Sequence, residues 1–134
     1  MDTDIRVLAV DDVEFNLDLI EVMLTGLSGL EDLTMLRAMN GRAALDILEQ
    51  HSNIDIILLD LEMPVLNGFD TLQILKLDER YREIPVIVVT ARAQSIDKVL
   101  GLHIAKVDDY IAKPFSPQEL LNSVDNVLAG KKNV

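Results

Sequence analysis

Three short runs of apolar residues dominate the hydrophobic pattern of this chain. They cover residues 5–10, 55–60 and 84–90, and a polar side chain stands at or just after the end of each run. Continuous apolar runs of this length are typical of strands that a sheet buries on both faces. Residues 34–38 and 109–112 are weaker strand candidates, because the first has a mixed pattern and the second is short. The pattern therefore predicts five strands.

Helical spacing fills the stretches between the predicted strands. The first predicted helix presents a single apolar stripe, made of Leu17, Ile20, Leu24 and Leu27. A second helix is expected to begin after Asn40 as its N-cap, a third to cover residues 69–77 after a turn at Gly68, and a fourth to lie around residues 95–102.

The fifth predicted helix carries the clearest end signals. Ser116 is suited to the N-cap, Pro117 to the first turn, and Glu119 to the third position of a capping box. Gly130 is expected to be the C-cap, so residues 131–134 are predicted to form a polar C-terminal tail. Residues 1–130 are then predicted to be a single domain.

Strand and helix alternate along the whole chain, and this alternation predicts the fold class. The connections are long enough for crossovers, which favours an α/β fold: a doubly wound, five-stranded parallel sheet with five helices covering its two faces. In such folds the ligand site lies beyond the carboxyl ends of the strands. Functional side chains are therefore expected at that edge.

Composition narrows the classes of function. The chain has 134 residues, a formal net charge of −11 and no cysteine, which excludes disulfides, thiolate metal sites and cysteine nucleophiles. The negative charge disfavours direct binding to nucleic acid or anionic lipid, since those contacts depend on clustered Lys and Arg. No signal peptide and no apolar stretch of roughly 18 residues is present, so a cytoplasmic protein without a membrane span is expected.

Five polar side chains follow the carboxyl ends of the predicted strands: Asp11, Asp12, Asp60, Thr90 and Lys113. Crowded carboxylates resist joint ionisation unless a cation neutralises them, and Mg²⁺ suits a site with a few oxygen ligands and room for phosphate. The lysine and the hydroxyl could then stabilise the oxygens of a transferring phosphoryl group. Each residue alone is ordinary at a strand end, but the five together indicate a site.

Four sequence motifs give the chain a family resemblance. They are Val-Asp-Asp at 10–12, Leu-Asp-Leu-Glu-Met-Pro at 59–64, Val-Thr-Ala at 89–91 and Asp-Tyr-Ile-Ala-Lys-Pro-Phe at 109–115. Over nearly its whole length the chain resembles the receiver domain of two-component response regulators. The resemblance implies a flavodoxin-like fold with strand order 2-1-3-4-5. It also implies a signalling switch that is not an enzyme in the usual sense, because it promotes only its own phosphorylation and dephosphorylation.

The resemblance also implies a role for each residue of the site. Asp60 would accept the phosphoryl group from a phosphohistidine donor. Mg²⁺ would be held by Asp11, Asp12, Asp60 and the backbone carbonyl of Glu62. Thr90, the backbone N–H of Ala91 and Lys113 would bind the phosphoryl oxygens, while Thr90 and Tyr110 would move as the switch. The Lys113–Pro114 peptide bond would be cis.

The same resemblance implies partners for the chain, and two residues differ from the pattern that is usual in the family. The donor would be a sensor histidine kinase or a phosphotransfer protein, and a dimer or effector would contact the fourth helix, fifth strand and fifth helix. Lys106 and Val107 depart from the small residues common before the fifth strand, which leaves the shape of that loop open. A Glu62–Arg92 ion pair covering the site is a further hypothesis.

Two other classes of function remain as alternatives. One is an Asp-nucleophile phosphatase or phosphotransferase of the haloacid-dehalogenase type, whose nucleophile would lie in an Asp-x-Asp motif after the first strand. Here that strand ends Asp11-Asp12-Val13, and the chain is too short to include a cap domain. The other is a pseudo-receiver that binds partners without being phosphorylated.

Overall fold

The computed structural model describes residues 4–26, 32–63, 66–91 and 107–132. Its strands are β1 (Ile5–Val10), β2 (Leu33–Ala38), β3 (Ile56–Asp60), β4 (Val86–Thr90) and β5 (Asp109–Ala112). Its helices are α1 (Glu14–Gly26), α2 (Gly41–Gln50), α3 (Gly68–Leu77) and a last helix, Pro117–Lys132. The fourth predicted helix, residues 95–102, lies outside the described residues.

All five strands form one parallel sheet in the order β2-β1-β3-β4-β5. The predicted α/β fold and the strand order are therefore confirmed. Strand order reverses between β1 and β3, and the groups at the carboxyl ends of these two strands become neighbours. That edge is where a doubly wound sheet places its ligand site.

Each face of the sheet has its own hydrophobic core, because successive side chains of a strand point to opposite faces. One core joins alternate residues of β1, β3 and β4 to α2 and α3, and includes Leu8, Ile57, Val88, Leu48 and Leu72. The other joins the remaining strand residues to α1 and the last helix, and includes Val7, Leu58, Ile87, Leu17 and Leu120. Burial on both faces explains why the central strands read as continuous apolar runs.

The helix starts follow the predicted caps. The Asn40 side chain accepts a hydrogen bond of 2.8 Å from the Ala43 N–H. Ser116 and Glu119 form the predicted capping box, in which the Glu119 N–H donates to Ser116 Oγ and the Ser116 N–H donates to Glu119 Oε1. These bonds satisfy N–H groups that the first turn of a helix leaves without partners.

Two helix-end predictions are wrong. The last helix continues through Gly130 to Lys132, so Gly130 is not its C-cap and the first two residues of the predicted tail are helical. Gly68 is not in a turn but is the first residue of α3, with Asn67 as the N-cap that accepts from the Asp70 N–H. In the described part of the chain, no helix combines the length and apolar character needed to span a membrane.

Two aspartates fasten the amino edge of the sheet. The Asp55 N–H donates to the Arg6 carbonyl while Asp55 Oδ2 accepts from the Arg6 N–H at 2.9 Å. Asp108 forms the same reciprocal pair with Val86, at 2.9 and 2.8 Å. Both carboxylates thus bind backbone groups of a neighbouring strand and fix its register.

Candidate functional site

Three carboxylates converge at the carboxyl edge of the sheet. Asp11 and Asp12 follow β1, Asp60 is the last residue of β3, and one oxygen of each lies within 4.8 Å of the others. Asp11 and Asp60 are 2 % and 5 % exposed, whereas Asp12 is half-buried. Parallel pairing of β1 with β3 creates this cluster, because it places the two strand ends side by side.

Lys113 bridges two of these carboxylates. Its Nζ lies 2.7 Å from Asp11 Oδ2 and 3.3 Å from Asp60 Oδ2. The Lys113 N–H donates to the Thr90 carbonyl at 2.8 Å, which continues the β4–β5 pairing one residue beyond β5 and holds the lysine at the edge. The Lys113–Pro114 peptide bond is cis, as the resemblance implied.

Burial and neighbouring charges shift the pKa values of Asp60 and Lys113. Burial raises the pKa of the Asp60 carboxyl, and the negative charge of Asp11 adds to the rise, against the Glu62 N–H and the Lys113 charge. For Lys113, burial opposes the charged form, but the hydrogen bond to Asp11 and the charges of Asp60 and Asp11 outweigh it, so its pKa is raised. Without a metal, the lysine therefore supplies the positive charge that the cluster requires.

The chemistry of the cluster fits a hard divalent cation. Three carboxylates within 4.8 Å supply oxygen ligands, and Asp12, the most accessible of them, leaves one side open to water or substrate. Mg²⁺ commonly takes one or two protein carboxylates and keeps several waters, so the residues present suit it. The Asp60 side chain is also held in place, since its Oδ1 accepts from the Glu62 N–H at 3.1 Å.

The other predicted site residues lie at or near the same edge of the sheet and differ in their exposure. Thr90 ends β4 and is fully buried, and Ala91 follows it as an exposed residue that lines a cavity together with Lys113. Tyr110 pairs with Val88 in the middle of the β4–β5 ladder and is 44 % exposed, so its side chain points outward. The structure thus brings Asp11, Asp12, Asp60 and Lys113 together, with Thr90 beside them and Tyr110 farther along β5.

Several predicted features fall outside the described residues. Arg92, Pro64 and Lys106 are among these, so the Glu62–Arg92 ion pair stays a hypothesis and only Val107 of the unusual loop pair is described, as a half-buried residue. Glu62 itself is exposed, with its backbone N–H directed to Asp60.

Two residues of the site were missed by the sequence interpretation. Asn16, on α1, donates from Nδ2 to both oxygens of Asp11, at 3.4 and 3.2 Å. Gly68 packs so tightly on β3 that an added Cβ would overlap the Asp60 carbonyl oxygen and the Leu61 Cα. Asn16 could have been found from its spacing five residues after Asp11, on the polar side of the predicted helix. Gly68 carries no such signal beyond being a glycine after Asn67.

A cavity of about 280 Å³ adjoins the carboxylate cluster. Its walls are mostly apolar and come from α1 and from the segment after β5, with Asn16 and Lys113 as the polar groups nearest the carboxylates. Asn16 and Lys113 therefore stand between the carboxylates and the apolar walls of this cavity.

Comparison with known proteins identifies the family. The model of the response regulator receiver domain matches residues 7–125. This chain belongs to the receiver-domain family. The receiver domain is 37% identical over 123 residues to the transcriptional regulatory protein CpxR of Escherichia coli, and 38% identical over 115 residues to the uncharacterized transcriptional regulatory protein YrkP of Bacillus subtilis. These alignments cover 92% and 86% of the chain but 49% and 46% of the relatives, so the chain spans about half their length.

Solved structures show the same fold. The receiver domain resembles the receiver domain of sensor histidine kinase PA1611 from Pseudomonas aeruginosa, described with a magnesium ion coordinated in the active site cleft. That match has 30% identity and a TM-score of 0.80, covering 94% of this chain and 98% of the other. The chemotaxis response regulator CheY4 of Vibrio cholerae matches with 26% identity and a TM-score of 0.79, covering 92% and 98%.

Proposed function

We propose that this receiver domain takes a phosphoryl group from a phosphohistidine onto Asp60, with Mg²⁺, and passes the signal on by a change of conformation. The observation that carries the proposal is the placement of Lys113, which lies within hydrogen-bonding distance of both Asp11 and Asp60 beside three clustered carboxylates. A buried acceptor, a cation site and a positively charged side chain beside them are the parts that phosphoryl transfer needs.

Hydrogen bonding favours Asp60 over Asp11 as the acceptor. Asp11 Oδ1 accepts from the Val13 N–H at 2.9 Å, Oδ2 accepts from Lys113, and the Asn16 amide reaches both oxygens. Asp60 is held less tightly, by the Glu62 N–H on Oδ1 and by the longer lysine contact on Oδ2. Asp60 therefore keeps more freedom to attack, whereas Asp11 is suited to holding a cation.

In the proposed step, an oxygen of Asp60 forms a bond to phosphorus as the phosphorus–nitrogen bond of the donor breaks, and the electron pair of that bond stays on the imidazole nitrogen. Asp11, Asp12, Asp60 and the Glu62 carbonyl would hold Mg²⁺, which when bound neutralises charge that develops on the phosphoryl oxygens. Lys113 would move from the carboxylates toward the new phosphoryl group, joined by the Ala91 N–H.

Signalling is proposed to use Thr90 and Tyr110. Thr90 is fully buried, its carbonyl accepts from the Lys113 N–H at the end of the β4–β5 pairing, and Tyr110 is exposed on the same strand pair. A phosphoryl group that binds the Thr90 hydroxyl would favour the inward rotamer of Tyr110, a local packing change with a readout at the surface. A dimer or effector contact at the fourth predicted helix, β5 and the last helix is proposed as that readout.

The proposed donor is a sensor histidine kinase or a phosphotransfer protein. Two similar structures are receiver domains of histidine kinases, and the curated relatives are named transcriptional regulators about twice as long as this chain. The net charge of −11 disfavours contact of this domain with DNA, so control of transcription would act through another domain or partner.

The test is incubation with acetyl phosphate and Mg²⁺, followed by intact-mass measurement. Wild type is expected to gain one phosphoryl group, Asp60→Asn none, and Asp70→Asn, a matched change at an exposed acidic residue of α3, as much as wild type. A second arm replaces acetyl phosphate with a phosphorylated histidine kinase domain. A wild-type protein that gains no phosphoryl mass from either donor would be a pseudo-receiver, and phosphorylation mapped to Asp11 would point to the dehalogenase-like alternative.

A further inference from the structure

We infer that Asn16 is a positioning residue of this site, which orients Asp11 for the cation and thereby sets the affinity for Mg²⁺. The inference rests on the proposed function, because it concerns the same cation site. Asn16 Nδ2 lies 3.2 Å from Asp11 Oδ2 and 3.4 Å from Oδ1, so one amide spans the whole carboxylate. Carboxylates that bind metals depend on such neighbours for their orientation.

Asn16 is important because the two oxygens of Asp11 have different hydrogen-bond donors. Oδ1 is also bonded by the Val13 N–H at 2.9 Å, but Oδ2 is bonded in the described residues by two side chains, Lys113 and Asn16. In the proposed step the Lys113 ammonium leaves Oδ2 for the phosphoryl oxygens, which its long side chain allows it to reach. Asn16 is then the side chain that still holds Oδ2 and prevents rotation of the carboxylate.

The fold holds Asn16 firmly enough for this role. Its neighbour Leu17 is 1 % exposed and belongs to the core between α1 and the sheet, which fixes the rotation of α1 about its axis. Arg37 of β2 binds α1 from the side, with its guanidinium 2.7 Å from Asp18 and 3.2 Å from Glu21. The helix that places Asn16 next to Asp11 is therefore held by the hydrophobic core on one face and by Arg37 at its side.

The chemistry of Asn16 suits positioning and not direct catalysis. A carboxamide does not titrate, and its nitrogen donates to Asp11 without adding a fourth negative charge to the cluster. It also lines the cavity beside Lys113 and Ala91, so it separates the carboxylates from the apolar walls formed by residues such as Ile20 and Phe115. An apolar side chain at position 16 would extend those walls up to Asp11 and leave Oδ2 without its second donor.

The test compares Mg²⁺ binding by calorimetry in wild type, Asn16→Leu and Asn16→Ala. Leucine has nearly the shape of asparagine without its donors, and alanine favours helix, so the second variant keeps the test valid if the first does not fold. Both are expected to bind Mg²⁺ about tenfold more weakly, the lower end of the loss seen when a group supporting a metal ligand is removed. At saturating Mg²⁺, phosphorylation by acetyl phosphate should return to the wild-type rate.

A matched control is Asn122→Ala on the last helix, where Asn122 accepts from Gln118 at an exposed position away from the site. It is expected to bind Mg²⁺ like wild type. Equal Mg²⁺ affinity in wild type and Asn16→Ala overturns the inference, and so does a phosphorylation rate that stays low at saturating Mg²⁺. A wild-type protein that binds Mg²⁺ and is phosphorylated, beside unaffected Asn16 variants, overturns only the role of Asn16. A wild type that binds no Mg²⁺ overturns the proposed cation site as well.

Discussion

Gly68 lies directly against the backbone of Asp60, so the first residue of α3 supports the end of β3. A Cβ at position 68 would overlap the Asp60 carbonyl oxygen, and the Gly68 N–H donates to the Leu61 carbonyl at 3.1 Å. Because glycine has no side chain, the start of α3 can pack directly on the backbone at the end of β3. The position of Asp60, the proposed acceptor, therefore depends on close packing at Gly68.

Gly68→Ala is expected to destabilise the protein and to slow phosphorylation. The added methyl group meets backbone atoms that cannot move aside alone, and overpacking of this kind costs about 1–3 kcal/mol. Urea denaturation would give the loss of stability, and the acetyl phosphate reaction the loss of rate. Gly130→Ala is the control, because a Cβ there meets open space within a helix and should leave the stability unchanged or raise it. Equal stability of the two variants would contradict the contact described above.

Lys113→Met is expected to lower the stability of the metal-free protein and to increase the stabilisation by Mg²⁺. Removal of the ammonium leaves Asp11 and Asp60 buried without their cation, at a cost of about 1–3 kcal/mol or more. In wild type the proposed metal ion would compete with the lysine for the same carboxylates, whereas in the variant it would not. Thermal unfolding in EDTA and in Mg²⁺ measures both effects. Lys76→Met, whose ammonium binds the carbonyls of Arg82 and Ile84, is the control and should show the wild-type response to Mg²⁺.

Asp60→Asn is expected to stabilise the metal-free protein at neutral pH. The pKa of Asp60 is raised in the folded state, chiefly by burial, so the folded protein binds this proton more tightly than the unfolded chain does. Proton binding by Asp60 therefore adds to the stability of the folded state at pH values below the pKa of Asp in the unfolded chain, roughly 3.9. This contribution is lost as the pH rises through the pKa of Asp60 in the folded state. The asparagine side chain of the variant does not ionise, so the variant does not lose this stability as the pH rises. Urea denaturation in EDTA at several pH values should show an advantage of Asp60→Asn that shrinks as the pH falls; an advantage that grows toward low pH would refute the assignment.

Ser123→Ala is expected to loosen the last helix from β5. Ser123 is 5 % exposed, and its hydroxyl donates to Asp109 Oδ2, while Asp109 Oδ1 accepts from the Tyr110 N–H. Loss of a hydrogen bond to a charged group costs about 1.5–3 kcal/mol. Urea denaturation measures this loss, with Ser52→Ala as an exposed control. No difference between the two variants would mean that this bond does not hold the helix.

Local pattern was sufficient to predict the sheet and most of the helix starts. Buried parallel strands must be apolar on both faces, so residues 5–10, 55–60 and 84–90 were recognisable without knowledge of their neighbours. Caps such as Asn40 and Ser116 bind N–H groups two or three residues away, and such short-range bonds leave a readable signal. The end of the last helix was mispredicted because one glycine near a helix end does not by itself stop the helix.

The finer arrangement of the site depends on contacts between distant parts of the chain. Lys113 lies closer to Asp11 than to Asp60, at 2.7 against 3.3 Å, and no sequence pattern ranks these two carboxylates. Asn16 reaches Asp11 only because the core fixes the rotation of α1. Gly68 is required by the path of a different element, β3. Each of these features is set by packing between elements, whereas the sequence pattern reports the character of one element at a time.

Aspartate serves opposite purposes at the two edges of this sheet. At one edge Asp55 and Asp108 each bind the main chain of the next strand through one carboxylate oxygen. At the other edge Asp11 and Asp60 face a lysine and each other, and there the proposed cation and phosphoryl group would change the balance of charge. One end of the sheet is therefore held by bonds to the main chain, and the binding events proposed at the other end need not disturb the bonds that align the strands.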